Sequence, residues 1–270
     1  MPMQPLTVET LSAGYGQAAI LRGLNLTVPT GRITAIVGAN ACGKSTLLRC
    51  MSRLLKPEQG QVLLDGRAIH RTPPRELARR LGLLPQTPLA PGGITVADLV
   101  SHGRHPHKGL LARWSAEDDR AVARALTATR TDTLADRDLD ALSGGQRQRV
   151  WIAMALAQET DVLLLDEPTT YLDINHQIEV LDLLVDLNRD RQTTIVMVLH
   201  DLNLAARYAN TLVAMKNGAI HAAGPPQEVL TEATVEQAFG LSCRVIPDPT
   251  SGKPMVLPLG RHYITESSAA

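Results

Sequence analysis

The segment that most constrains the fold is a glycine-rich loop between an apolar strand and a helix. An apolar run from Ile33 to Val37 leads directly into Gly38-Ala39-Asn40-Ala41-Cys42-Gly43-Lys44-Ser45. The loop matches the GxxxxGK[ST] pattern in the strand–loop–helix setting that this pattern requires. Glycines let backbone N–H groups curl around phosphate oxygens, and the N-terminus of the following helix favours an anion. The sequence therefore predicts an α/β fold with a nucleotide-phosphate site at this loop.

The last residues of the loop carry the predicted chemistry. We expect Lys44 to reach the β- and γ-phosphates of a nucleotide, and the Ser45 hydroxyl to ligate Mg²⁺. The predicted contacts of the nucleotide at this loop are Gly38, Ala39, Asn40, Ala41, Cys42, Gly43, Lys44, Ser45 and Thr46.

Two further apolar runs end in polar residues. Val162 to Leu165 precedes Asp166 and Glu167, and Thr194 to Leu199 precedes His200. Continuous apolar runs are typical of parallel strands buried on both faces. Adjacent side chains on a strand point to opposite sides, so the two acids are expected to have different partners. In isolation, such acids are more often solvated loop residues and a lone histidine is more often structural. Their position after buried strands favours a functional interpretation.

The segment Leu142-Ser143-Gly144-Gly145-Gln146 indicates a second anion site. Ser143 is predicted to cap a helix that runs through Val150 and Leu156, and the two glycines let a phosphate approach the start of that helix. One chain cannot easily bring both anion sites to the same phosphate, whereas a head-to-tail dimer can. The sequence therefore favours a dimer.

Composition excludes several functional classes. Lys plus Arg and Asp plus Glu both number 27, and only 3% of residues are aromatic. We therefore expect no nucleic-acid partner, because there is neither a basic field nor a stacking platform. No signal peptide and no membrane span are expected. The three scattered cysteines fit a reducing compartment, and His102, His105 and His107 are interpreted as loop residues because nothing completes a metal site.

Local patterns also predict several elements. Short strands are expected at Leu6 to Leu11 and Leu24 to Val28, and the helix after the phosphate loop is expected to run to Pro57. Asn217-Gly218 indicates a hairpin turn. The proline-rich tail that begins at Leu241 is expected to pack on the core.

Taken together, the phosphate loop, the acidic strand end and LSGGQ resemble the ATP-binding-cassette (ABC) family over nearly the whole chain. The resemblance implies ATP hydrolysis with ATP and Mg²⁺, and a P-loop NTPase (RecA-like) core with an N-terminal antiparallel β subdomain and an inserted helical subdomain. It divides the chain into core and β subdomain (1–86), helical subdomain with LSGGQ (87–157), second part of the core (158–240) and C-terminal extension (241–270).

The resemblance also implies roles for residues at the cleft. Asp166 would support Mg²⁺, Glu167 would polarise the attacking water, and His200 would contact the γ-phosphate. Gln86 would touch Mg²⁺ and sense a membrane partner, and Tyr15 would stack on adenine.

The resemblance assigns other residues to the dimer. Ser143, Gly144, Gly145 and Gln146 would contact the ATP of a second copy, and Asp173 would cross the interface. The phosphate loop departs from the family at two positions, because Ala39 replaces a proline and Ala41 a glycine. We expect Ala41 to adopt φ > 0 at some cost in ATP affinity.

Within the family, the chain is most similar to ATPase subunits of ferric-siderophore and cobalamin importers, the ferric-enterobactin type most of all. The residues that carry this similarity are 84–86, 91–96, 103–107, 113–114, 134–136, 166–173 and 248–252. It implies two copies under a pair of permease subunits at the cytoplasmic face of the membrane, with a substrate-binding protein outside.

The alternatives are a cobalamin, haem or other metal-chelate importer, an exporter, an ABC protein of DNA repair or translation, and a non-ABC P-loop protein. The repair and translation proteins carry a long coiled-coil insertion or two cassettes, and this chain has one copy of each motif and a short insertion.

Overall fold

The computed structural model describes residues 6–16, 18–109, 113–170 and 172–260. Strands and helices alternate along much of the chain, with 3₁₀ turns at His102–His107, Asp132–Leu134 and Leu139–Ala141. The strands are β1 Leu6–Tyr15, β2 Ala18–Val28, β3 Ile33–Gly38, β4 Gln59–Leu64, β5 Arg67–Ala68, β6 Leu81–Leu84, β7 Val162–Asp166, β8 Thr194–Val198, β9 Thr211–Lys216, β10 Ala219–Gly224, β11 Cys243–Pro247 and β12 Pro254–Pro258. The helices are α1 Lys44–Met51, α2 Pro74–Ala78, α3 Val96–Ser101, α4 Ala116–Ala128, α5 Gly144–Ala157, α6 Ile174–Arg191, α7 Leu202–Tyr208, α8 Pro226–Val229 and α9 Glu232–Phe239.

The central sheet has six strands in the order β10-β9-β3-β8-β7-β6. Its strands run parallel except for β10, which pairs with β9 as an antiparallel edge. A second sheet, in the order β2-β1-β4-β5, is antiparallel. A parallel core with an N-terminal antiparallel β subdomain is thus confirmed.

The apolar side chains form two clusters, which share the strands of the central sheet. Alternation along β3 shows the division, because Ala35 and Val37 face one cluster and Ile36 faces the other. The first cluster contains much of the helical segment, including Trp151, and the second contains α1 and the antiparallel sheet. Strands buried on both faces explain the continuous apolar runs in the sequence.

Three local expectations need correction. The strands expected at Leu6 to Leu11 and Leu24 to Val28 are parts of longer strands of 10 and 11 residues, whose pairing includes register shifts. Helix α1 ends at Met51, well before Pro57, because Arg53 adopts φ 66 and turns the chain out of the helix. His102, His105 and His107 lie in a 3₁₀ turn, which makes the loop interpretation wrong.

The Asn217-Gly218 hairpin braces the phosphate loop. Both residues have positive φ (48° and 79°), as a type I′ turn requires. The Gly218 N–H donates to the Cys42 carbonyl at 3.0 Å. A Cβ at Gly218 would lie 1.8 Å from the carbonyl oxygen of Ile20, so only glycine fits between the loop and β2.

The described part of the C-terminal tail packs on α7, as expected. Asn203 exchanges two hydrogen bonds with the backbone of Val256, and Arg207 forms an ion pair with Asp248. Hydrogen bonds from Thr250, Ser251 and Arg207 hold the pKa of Asp248 well below its usual range. Among the described helices, none is both long enough and apolar enough to cross a membrane.

Candidate nucleotide site

The carboxyl ends of β3, β7 and β8 and the residues after β6 meet at one edge of the central sheet, where a cleft of about 450 Å³ opens. In α/β sheets, ligands bind at this edge. The residues that line the cleft are Ile20, Asn40, Ala41, Gly43, Lys44, Ser45, Thr46, Gln86, Glu167 and His200. The tertiary structure thus brings together residues from five separate parts of the sequence.

The phosphate loop leaves the start of α1 available to an anion. The residue before the helix is Gly43, with φ 106, and no side chain caps the first turn. Lys44 is only 5% exposed, and its Nζ donates to the carbonyls of Gly38 (2.9 Å) and Ala39 (3.0 Å). Ala41 has φ 60, as predicted for a position where the family carries glycine. A buried ammonium beside an uncapped helix N-terminus suits a phosphate.

The two predicted Mg²⁺ ligands from the core lie together. Ser45 Oγ donates to Asp166 Oδ1 at 3.1 Å. Burial raises the pKa of Asp166, the charge of Glu167 adds to the rise, and the Ser45 hydrogen bond opposes it. A hydroxyl and a carboxylate are hard oxygen ligands of the kind Mg²⁺ prefers, and phosphate oxygens usually complete its coordination. The residues present therefore fit this ion.

Glu167 lies at the centre of a hydrogen-bond network. Its Oε2 accepts from Gln86 Nε2 (2.6 Å) and from Thr170 Oγ1 (3.0 Å), and its Oε1 lies 2.6 Å from His200 Nε2. Asp166 and Glu167 thus have different partners, as expected, but Glu167 follows β7 at φ 54, so the turn and not strand alternation directs its side chain. Thr170 was missed by sequence reasoning, because a threonine in a turn carries no signal of the carboxylate it will contact.

The predicted adenine contact lies at the edge of the site. Tyr15 is 44% exposed, and its hydroxyl accepts from Arg49 Nη1 at 2.9 Å. It is not among the residues that line the cleft, so its role in stacking stays a prediction. Ile20 does line the cleft and was not singled out, because one apolar residue in a strand is indistinguishable from a core residue. Cys42, which belongs to the loop, is buried, and burial raises the pKa of its thiol.

The second predicted anion site lies apart from this cleft within one chain. Ser143 caps α5 in a reciprocal capping box, in which Ser143 Oγ accepts from the Gln146 N–H and Gln146 Oε1 accepts from the Ser143 N–H. None of Ser143, Gly144, Gly145 and Gln146 lines the cleft at Lys44. The structure thus agrees with the expectation that one chain does not join the two sites.

Asp173 caps α6, close to the start of α5. Its carboxylate accepts hydrogen bonds from the backbone N–H and then the ring of His176, and these hold its pKa below the usual value. Arg149, in α5, forms an ion pair with Glu179 of α6 at 2.8 Å. Tyr171, which belongs to the segment 166–173 that resembles siderophore importers, lies outside the described residues.

Comparison with known proteins decides the family. The family model described as "ABC transporter" matches residues 21–170. The chain belongs to the ABC transporter family. It is 58% identical over 270 residues to the "Probable siderophore transport system ATP-binding protein" of Bacillus subtilis (strain 168), covering 100% of this chain and 98% of the relative. It is 53% identical over 253 residues to the ferric enterobactin transport ATP-binding protein of Escherichia coli (strain K12), covering 94% and 93%.

One solved structure that is similar to this chain is a dimer with a bound nucleotide. It is a dimeric ATP-binding cassette in a post-hydrolysis state bound to ADP and Pi, with a TM-score of 0.72 and 28% identity over 82% of this chain and 98% of that one. The ABC fold and the resemblance to siderophore-import ATPases are therefore confirmed. The segment boundaries and the individual site roles stay predictions.

Proposed function

We propose that this ABC protein is the ATP-hydrolysing subunit of an importer for iron–siderophore complexes. The observation that carries the ATPase assignment is the Glu167 carboxylate, which three side chains hold at the mouth of a cleft that contains Lys44. Phosphoryl transfer needs mainly positioning and charge neutralisation, and this arrangement provides both. The names of the two relatives, a probable siderophore transport protein and a ferric enterobactin transport protein, support the iron–siderophore cargo.

The proposed reaction is an in-line displacement at the γ-phosphorus. The water oxygen forms a bond to phosphorus while the bond to the β–γ bridging oxygen breaks, which gives ADP and inorganic phosphate. Glu167 orients the water and accepts its proton, and Gln86 and Thr170 fix the carboxylate. Lys44 neutralises charge on the β- and γ-phosphates, and His200, whose side chain is 46% exposed, is able to turn towards them. Mg²⁺, held by Ser45, Asp166 and Gln86, would neutralise the same oxygens when bound.

The functional form that we propose is a head-to-tail dimer. Its support is the separation of the two anion sites, since Ser143 to Gln146 of one chain do not reach its own cleft. In the dimer each α5 N-terminus meets the nucleotide held at the Lys44 cleft of the second copy. The dimeric relative with bound ADP and Pi is consistent with this assembly.

A permease pair is the proposed membrane partner, and it holds the dimer at the cytoplasmic face. The surface between Gln86 and residue 115 is the proposed docking face, with Trp114 as an anchor, because aromatic residues are favoured at interface centres. Trp114 is 38% exposed and Leu89 is 94% exposed.

Cross-linking tests the docking face. The three native cysteines are buried, so cysteines introduced at Leu89 and Trp114 label selectively. We expect cross-links from these positions to the permease. Cross-links only from a cysteine introduced at Thr250, in the C-terminal hairpin, would contradict this face.

Glu167→Gln tests the ATPase assignment. We expect hydrolysis to fall more than about a hundredfold, because the proton acceptor is lost while the shape is kept. ATP binding should persist, and light scattering should show an ATP-dependent dimer. Glu76→Gln, at an exposed surface pair with Arg67, is the matched control and should hydrolyse ATP at the parent rate. Undiminished hydrolysis by Glu167→Gln would remove Glu167 from the reaction.

The cargo is tested with the reconstituted permease pair. We expect ATP hydrolysis to rise when the binding protein is loaded with a ferric siderophore. Stimulation by cobalamin or haem, with none by a ferric siderophore, would contradict the proposed cargo.

A further inference from the structure

Two helix N-termini converge on the ring of His176. This residue lies in the first turn of α6, and its ring lies against Gly145 at the start of α5. A Cβ built on Gly145 would be only 3.3 Å from Cγ and Cδ2 of the ring, and 3.5 Å from Nε2. The imidazole therefore occupies the space that a side chain at Gly145 would fill.

The ring is fixed on its other side by Asp173. His176 Nδ1 lies 2.8 Å from Asp173 Oδ1 and 2.9 Å from Oδ2. Because the carboxylate of Asp173 has a lowered pKa and only accepts, the geometry assigns the proton to Nδ1. One imidazole thus contacts both Asp173, which caps α6, and Gly145, the second residue of α5.

Helix capping does not account for this ring. The cap of α6 is complete without it, because Asp173 Oδ1 already accepts the backbone N–H of His176 at 2.9 Å. Other contacts also join the two regions, through Gln148 to the Pro168 carbonyl and through Arg149 to Glu179. These contacts lie further along α5, whereas His176 lies against Gly145 in its first turn.

We propose that His176 is a positioning residue that sets the N-terminus of α5 for the nucleotide held by the second copy. Its Nδ1–H···Asp173 hydrogen bond prevents the ring from rotating, and the fixed ring sets where Gly145 and its backbone N–H lie relative to Asp173. This role rests on the proposed dimer. Anion binding by backbone N–H groups depends on their direction, so a displaced α5 N-terminus binds the partner's nucleotide less tightly.

Substitutions at His176 separate the hydrogen bond from the ring. His176→Asn places an amide nitrogen near the position of Nδ1 and keeps the donor, and its Cγ and Oδ1 take the places of the ring atoms Cγ and Cδ2 that lie nearest Gly145. His176→Phe keeps an aromatic ring against Gly145 and removes the donor. His176→Ala removes both. Glu179→Gln is the matched control, because it disturbs the same pair of helices without touching Gly145 or Asp173.

The readout is the dissociation constant of the ATP-dependent dimer, measured in the Glu167→Gln background. We expect His176→Phe and His176→Ala to weaken the dimer about a hundredfold, since a symmetric dimer contains two such sites and each loses about tenfold. His176→Asn and Glu179→Gln should stay within about threefold of the parent.

A second readout separates positioning from general damage. Binding of a fluorescent ATP analogue to the single subunit, at protein concentrations too low for dimers, should change less than about twofold, because His176 does not line the Lys44 cleft. Parent-like dimerisation by His176→Phe would overturn the role, as would a weakening of the dimer by His176→Asn equal to that by His176→Ala. Equal weakening of single-subunit binding would also overturn it. If the Glu167→Gln parent itself forms no ATP-dependent dimer, the proposed dimer fails, and the role of His176 fails with it.

Discussion

Helices α1 and α5 both begin at glycine-rich segments, but their first turns differ. The start of α1 has no side-chain cap, and Lys44 lies buried beside it. The start of α5 is closed by its own capping box between Ser143 and Gln146, and no lysine accompanies it. An uncapped, positively charged helix start is suited to a strongly held phosphate. A helix N-terminus with its own capping box is stable without a ligand. We expect it to contact a bound phosphate more weakly than an uncapped N-terminus does. The difference fits one site that holds a nucleotide and one that meets it in a dimer.

The two sites also depend on different parts of the structure. The phosphate loop is held by groups distant in sequence, namely the Gly218 turn and the side chain of Asp166. The cap of α5 is formed by residues three apart. Variants that affect one site and spare the other therefore test the comparison directly.

The strongest test removes the charge at α1. Lys44→Ala should lower ATP hydrolysis more than ~100-fold and severely weaken nucleotide binding, because among the described residues that line the cleft Lys44 is the only lysine or arginine. The measurements are steady-state ATPase activity and titration with a fluorescent ATP analogue. Lys56→Ala, at an exposed lysine after α1, serves as the control and should behave as the parent does. Near-parental ATPase in the purified Lys44→Ala protein would refute the site.

The next test acts on the brace beneath the loop. Gly218→Ala should lower the free energy of unfolding by more than ~2 kcal/mol, because left-handed strain alone costs roughly 1–2 kcal/mol and the Cβ also meets the Ile20 carbonyl. ATP binding should weaken as well. Denaturant unfolding measures the first effect. Gly240→Ala has a similar φ of 67° with no atom near its Cβ, so it should show the strain alone. Equal losses in both variants would mean that the brace contributes nothing.

A smaller effect is expected at α5. Ser143→Ala removes half of the capping box, which costs about 1 kcal/mol. In the Glu167→Gln background we expect the ATP-dependent dimer to weaken about thirtyfold, since two caps are lost, which together cost about 2 kcal/mol. Single-subunit ATP binding should not change. Ser115→Ala removes the same kind of capping box from α4 and should leave the dimer intact. Weaker ATP binding by the single Ser143→Ala subunit would contradict the separation of the two sites.

The smallest effect concerns strain within the phosphate loop. Ala41 has φ 60, and Ala41→Gly should relieve roughly 1 kcal/mol if binding requires this backbone geometry. ATP should then bind up to about tenfold more tightly, with little change in the hydrolysis ratio between the parent and Glu167→Gln. Ala39→Gly is the control, because Ala39 is not among the residues with positive φ, and it should not tighten binding. Equal or weaker binding by Ala41→Gly would show that the strain does not limit affinity.

Much of this site could be predicted from the sequence, because its parts are local motifs. The loop at Gly38 to Ser45, the strand end at Asp166 and the cap at Ser143 each specify their own geometry through backbone conformation and short-range hydrogen bonds. The buried strands could also be predicted from the sequence, since a strand covered on both faces must be apolar throughout. The Asn217-Gly218 turn was also predictable, because Asn-Gly favours the positive φ values of a type I′ turn.

The tertiary structure alone decided which of these parts meet. Nothing local to Gly218 indicates that it fits under a loop more than 170 residues away, and nothing local to Gln86 indicates that it holds Glu167, 81 residues further along the chain. The contact of His176 with Gly145 is of the same kind, because it depends on how α5 and α6 pack. Contacts between distant segments are set by the packing of whole elements, and a local pattern carries no record of its distant neighbours. The sequence determined the chemical groups and their local geometry, and packing determined their partners.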